Sequence, residues 1–224
     1  MSDDTIDAAG AEEPRASAAG QDNVDGAPRA GSAPQAGTVP QAGTVTPAAA
    51  VDDIFKGVVM RVELSLRSAF VDIGQGREAV LPFDDVHPEY YEDYGRSAGC
   101  LPAGRQVLVQ VVREPSGTKG AALTTYLTLA GRRLVLTPGR QGARVSKKIT
   151  GEDERARLRA AAGSGPLPGG VGVIVRTEAE GARAEELAGD LAALLELWEE
   201  VRDRGARAPA PSLVRKEPAP GAAG

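Results

Sequence analysis

Large apolar side chains are almost wholly withheld from the first 50 residues and thin out again from 206 to 224. Any folded core must therefore be built from the stretch between. The N-terminal segment, 1–50, is Ala, Gly, Pro, Asp and Glu with little else. It contains the hexad Pro-Gln-Ala-Gly-Thr-Val at 34–39 and again at 40–45, a low-complexity tandem rather than a structural repeat. A segment of this composition buries too little surface to offset its chain entropy, so disorder is expected over 1–50. The same is expected over 206–224, with the fold ending near Gly205.

Between these ends the apolar period changes from two to about 3.6. Alternation with β-branched residues predicts strands over 54–63, 68–73 and 78–81, the second closed by the turn Gly74-Gln75-Gly76. A polar loop over 88–105 follows, then strands over 106–113 and 123–129, with a turn at 115–120 between them and a continuation into Leu134-Val135-Leu136. Five short strands with one long third-to-fourth connection suggest a small barrel of the oligonucleotide-binding (OB) type over 51–128. The stretch 129–205 reads as α+β. It comprises a charged helix over 152–162 with Thr150 as its N-cap, a buried strand over 172–176 and a longer helix over 184–203. That helix carries Leu187, Leu191, Leu194, Leu195, Trp198 and Val201 along one face. Trp198 on such a face reads as a core anchor. The expected fold class is mainly β, then α+β.

The residue inventory excludes several chemistries. A single cysteine, Cys100, rules out an internal disulfide and a multi-cysteine zinc site, and a single histidine, His87, removes most acid–base and metal chemistry. No apolar run is long enough to span a bilayer and no leader pattern opens the chain, so no membrane partner and a cytoplasmic location are expected. The net charge of −5 argues against nucleic-acid binding only if charge is evenly spread, and it is not. Arg132, Arg133, Arg140, Arg144, Lys147 and Lys148 fall within 131–148 with no acidic residue among them. By itself this run is read equally well as a solvated loop face or as a patch for polyanions.

Three stretches are more specific: Ile54-Phe-Lys-Gly-Val58 with Ser68-Ala-Phe-Val-Asp-Ile-Gly74, then Gly117-Thr-Lys-Gly-Ala-Ala-Leu-Thr-Thr125 with Leu129-Ala-Gly-Arg-Arg-Leu-Val-Leu136, then Val173-Ile-Val-Arg-Thr177. In this order and spacing the chain, over roughly 53–205, resembles the N-terminal part of the ribonuclease E/G family of bacterial endoribonucleases. The resemblance implies an S1-like OB barrel followed by a small α/β 5′-sensor domain. It further implies that Phe70 and Lys119 contact RNA on the barrel, while Gly131, Val135, Arg176 and Thr177 receive a 5′-monophosphate. From the residues alone, Phe70 is better read as an ordinary sheet residue, and Arg176-Thr177 as a strand cap followed by a turn; the resemblance reverses both. The chemistry is nonetheless apt: a terminal phosphate is matched by a planar cationic fork, a hydroxyl and a backbone free of side-chain obstruction. One departure stands out. The family's second barrel aromatic corresponds to Val80, which has no ring face to stack on a base.

The family's nuclease half, with its magnesium-binding carboxylates and zinc link, has no counterpart before Gly224. Glu152, Asp153 and Glu154 read as helix N-terminal charges, and Cys100 with His87 does not make a catalytic pair without an orienting third group. No catalytic residue, metal site or cofactor is therefore expected in this chain, and no activity of the chain alone. The partners that the resemblance implies are single-stranded RNA, preferentially 5′-monophosphorylated, and a ribonuclease E/G catalytic chain; DNA is not expected. Two other functions remain open at this point: an active endoribonuclease whose catalytic domain is on another chain or lost by truncation, and a protein-interaction scaffold derived from that family.

Overall fold

The computed structural model of the chain describes residues 48–91, 101–163 and 167–218. The expected low-complexity tail up to residue 47, Cys100 and the last six residues lie outside them. Five strands close into a mixed barrel: β1 (Ile54–Glu63), β2 (Ser68–Asp72), β3 (Glu78–Pro82), β4 (Gln106–Arg113) and β5 (Ala122–Thr124). The order is β1-β2-β3-β5-β4, with β4 returning to β1. All pairings are antiparallel except β3 with β5, where Val80 lies opposite Ala122. Period-two alternation sends Val59, Val71, Leu81, Val107, Val109 and Leu123 to the interior, all essentially without solvent exposure.

Two β-bulges break the alternation. The β1–β2 register slips between Val59 and Arg61, and the β4–β5 register between Val111 and Arg113. The extra residues, Met60 and Val112, are exposed apolar side chains. Each bulge turns the following arginine onto the outer face of the barrel.

The second module contains β6 (Leu129–Ala130), β7 (Leu134–Pro138), β8 (Gly142–Val145), α1 (Glu152–Gly163), β9 (Val171–Val175), α2 (Ala184–Arg207) and β10 (Ser212–Arg215). Its sheet runs β6-β7-β9-β8, with β8 parallel to β9. Leu134, Leu136, Val173 and Val175 pack under the helices against Leu158, Leu187, Leu191, Leu194 and Val201. Trp198 is half-buried against the same cluster, as its place on the apolar face predicts.

Four expectations need correction. The folded part does not end near Gly205: α2 runs on to Arg207, and β10 pairs antiparallel with the start of β1, Leu213 opposite Phe55. Gly205 itself is buried, and a Cβ at this position would lie 3.1 Å from the Leu108 side chain. At the other end, Ala49 is only 2% exposed and Ala50 N–H donates to the Asp53 carboxylate, so order begins before residue 51. The strand expected over 123–129 is interrupted at Thr125–Thr128 and resumes as β6. Finally, Gly151 rather than Thr150 opens α1, its carbonyl accepting the Arg155 N–H.

Barrel closure passes through Gly120. A Cβ there would sit 1.9 Å from the Glu78 carbonyl oxygen, inside the β3–β5 contact. Gly120→Ala should therefore lower stability by about 2–3 kcal/mol or more as measured by denaturant unfolding, while Gly117→Ala, whose added Cβ meets nothing within 4 Å, should show only the smaller strain of its left-handed backbone.

Candidate nucleic-acid interface

Across β1, β2 and β3 the register sets Arg61 opposite Phe70 and Phe70 opposite Val80, so the three side chains form a row on the barrel's outer face. A groove of about 470 Å³ runs beside Phe70 and Val80 of this row, lined also by Arg77, Glu78, Arg113 and Lys119 among others. The sequence-expected pair Phe70 and Lys119 thus comes together, and Val80 lies beside them as the missing aromatic would. Phe70 is not an open platform, however. The Arg61 guanidinium lies 3.6 Å from its ring centroid. Arg61 in turn donates from Nε and Nη2 to one Glu78 carboxylate oxygen, at 3.3 and 3.1 Å. Arg77 is held by the Gly117 carbonyl. Arg113 and Lys119 are exposed and make no ion pair among the described residues.

A second corner forms where β9 ends beside the β6–β7 turn. Arg176 N–H donates to the Arg133 carbonyl (2.8 Å), and its Nη1 donates to the Gly131 carbonyl (2.8 Å). Its Nε lies 3.5 Å from the Glu178 carboxylate. The Gly131 N–H is spent on the Leu134 carbonyl at 2.8 Å. What Gly131 brings to the corner is therefore a carbonyl that holds Arg176, together with the absence of a side chain. A Cβ there would meet Leu134 O, Leu194 Cδ1 and Asp190 Oδ2 at 3.1–3.2 Å. Val135 sits half-buried on the same sheet, paired with Ala130 and Ile174. Thr177 starts a single 3-10 turn, Thr177–Ala179, and its hydroxyl lies 3.5 Å from that of Ser146 at the end of β8.

The charges around this corner divide into spent and unspent. Arg133 pairs with Glu186 at 2.7 Å, both largely shielded from solvent. Glu186 is pulled below the usual carboxylate range by the Arg183 N–H it accepts and by the nearby arginines. Glu154 is held down to about 2 by its hydrogen bonds from Arg157 and from the Gly181 N–H, so it staples α1 to the turn after Thr177. Arg132, Arg144, Lys147 and Lys148 are exposed and carry no ion pair among the described residues. The basic run, open in the sequence between a solvated loop face and a polyanion patch, includes a strand, β8, that hydrogen-bonds to β9.

His87 belongs to a packing joint. Its ring meets Tyr126 edge-on at 5.4 Å and leaves no room for a side chain at Gly139, where a Cβ would lie 2.7 Å away. Among the described residues no three His, Cys, Asp or Glu side chains gather as a metal site, and no helix is long and apolar enough to cross a membrane.

Residues that sequence reasoning did not single out are Arg61, Arg113, Ser146 and Asp190. The last carries a specific burden: its Oδ2 accepts the backbone N–H groups of Arg133 (2.7 Å) and Leu134 (3.1 Å), pinning the turn that presents Gly131. Asp190→Ala should cost about 2–3 kcal/mol in unfolding free energy and speed amide exchange at Arg133 and Leu134. Asp190→Asn, which keeps an acceptor oxygen, should recover most of the loss.

The model of the Ribonuclease E/G family matches residues 128–221. Ribonuclease E of Haemophilus influenzae is 45% identical over 172 residues, covering 74% of this chain and 18% of that protein. Ribonuclease E of Escherichia coli is 42% identical over 172 residues, 74% of this chain and 16% of its own length. Ribonuclease G of Haemophilus influenzae is 40% identical over 179 residues, 75% of this chain and 36% of its own length. The chain thus spans between 16% and 36% of these relatives. Identity at this level across both the barrel and the second module means that the chain belongs to the ribonuclease E/G family.

Proposed function

We propose that this chain binds single-stranded RNA along the barrel groove and recognises a 5′-monophosphate at the Arg176 corner. The observation that carries the reading is the joined Gly131–Arg176 pair. One guanidinium nitrogen is immobilised by a backbone carbonyl at 2.8 Å. With its Nε 3.5 Å from the Glu178 carboxylate as well, the guanidinium is a planar fork held on two sides, which suits a phosphate dianion better than a mobile lysine does. The Thr177 hydroxyl lies 3.5 Å from that of Ser146, and the exposed Arg132, Arg144, Lys147 and Lys148 raise the local potential that attracts a polyanion. On the barrel, Phe70, Arg113 and Lys119 supply the ring and cations that sequence-tolerant binding of single strands requires.

Phosphodiester cleavage needs carboxylates converging on the scissile phosphate, and the described residues hold no such gathering. The reading assigns these residues recognition. Cleavage belongs to a further part of a longer chain or to a ribonuclease E/G catalytic partner.

Matched single-stranded RNAs ending in 5′-monophosphate or 5′-hydroxyl, titrated by fluorescence anisotropy, test this directly. The monophosphate should bind about tenfold more tightly, in line with one or two charge-assisted hydrogen bonds, and Arg176→Ala should erase the difference. Equal affinities for the parent chain would refute end recognition. Lys119→Ala should weaken both RNAs alike and reduce the magnitude of the salt slope by about 0.7.

A further inference from the structure

The Arg61 guanidinium stands at the side of the groove, on the same outer row as Phe70 and Val80. The bulge at Met60 adds one residue to β1 and so turns Arg61 directly over Phe70, its cross-strand partner. Glu78, on the far strand of the same row, grips the guanidinium edge through Nε and Nη2, which fixes its plane. Arg61 nevertheless remains 51% exposed and Glu78 42% exposed, so the contact is no buried strut. One side of the guanidinium is against the ring, and half of the side chain stays open to solvent.

We propose that the Arg61 guanidinium, layered on Phe70, is the barrel's outer stacking surface for a nucleobase of single-stranded RNA, taking the part of the aromatic that Val80 lacks. The proposal rests on the RNA-binding reading above and extends it to a residue that carries the base contact. Its chemistry is favourable: a guanidinium is planar and weakly hydrated, and it stacks on aromatic faces and on bases alike. Because Glu78 already holds its plane, little side-chain freedom is lost when a base settles on it. Glu78 also neutralises the charge locally, so Arg61 acts through its flat surface. The phosphates are left to Arg113 and Lys119, which have no such partner among the described residues.

The test compares Arg61→Lys and Arg61→Gln with the parent chain on a 5′-hydroxyl oligoribonucleotide carrying 2-aminopurine, which keeps the Arg176 corner out of the measurement. Lysine preserves the charge and loses the plane. Both variants should bind about five- to tenfold more weakly, with the salt slope of the lysine variant unchanged. The 2-aminopurine emission quenched by the parent should recover on both. Binding by Arg61→Lys equal to the parent's would overturn the proposal, leaving charge alone as Arg61's contribution. Tighter binding by Arg61→Gln would also overturn it, by showing that Arg61 merely lids the Phe70 ring. Each of these outcomes leaves the RNA-binding reading standing. A parent chain that fails to bind the oligonucleotide at low salt overturns that reading, and this proposal with it.

Discussion

The Gln110 carboxamide, only 2% exposed on β4, makes the junction on which the placement of the second module depends. Its oxygen accepts the Thr128 N–H at 2.7 Å and lies 3.2 Å from the Thr128 hydroxyl, while its nitrogen donates to the Thr128 carbonyl at 2.9 Å and to the Asp52 carbonyl at 3.3 Å. The point at which the chain leaves the barrel is thereby tied to the strand behind it and to Asp52, two residues before β1. A buried amide of this kind is costly to leave unsatisfied, so the register of Leu129-Ala130-Gly131 follows from it. Gly131 is the residue whose carbonyl holds Arg176. The position of the Arg176 corner relative to the barrel is therefore set by a side chain that touches neither the groove nor the corner.

Strand β1 works to the same end by serving two cores. Phe55 points into the barrel while its neighbour Ile54 packs with Leu134, Leu136, Val173 and Val214 of the second module, both with essentially no exposure. A strand with apolar neighbours on both faces loses strict alternation at its start, where Ile54 and Phe55 stand side by side. β10 closes over this start, with Lys216 Nζ and Glu217 N–H both donating to the buried Asp53 carboxylate. Order at 212–215 is thus a consequence of the barrel, and would not arise from the composition of that segment.

The legibility of the chain follows the range of the interactions involved. Strands β1 to β4 and helix α2 were readable because each carries its own period, alternate Val and Leu in the barrel and Leu187, Leu191, Leu194 and Val201 at helical spacing. β8 and β10 were not: Gly-Ala-Arg-Val and Ser-Leu-Val-Arg have almost no pattern, and become strands because β9 and β1 offer open edges. The candidate site divides in the same way. Phe70, Lys119, Gly131, Val135, Arg176 and Thr177 were legible through motifs, and the fold brings them into two local groups, the barrel groove and the Arg176 corner. Arg61 and Arg113 were invisible because a one-residue bulge reverses which face a side chain occupies, and nothing in Met60-Arg61 or Val112-Arg113 announces a bulge. Asp190 was hidden for another reason: it looks like any acidic residue of an exposed helix face until the β6–β7 turn is set against it.

On the proposed reading, the split between groove and corner has a physical consequence. Stacking and phosphate attraction in the groove are indifferent to sequence and to chain ends, so the groove supplies affinity without discrimination. The corner distinguishes ends but presents few contacts, too few for tight binding alone. Because both are fixed within one compact unit, a strand held in the groove meets the corner at a high effective concentration, and the second contact forgoes most of the entropy lost in a first encounter. End recognition worth only one or two hydrogen bonds then appears almost undiminished in the overall affinity. A weaker groove, as Val80 implies unless Arg61 compensates, would lower the affinity for every RNA while leaving the ratio between 5′ ends untouched.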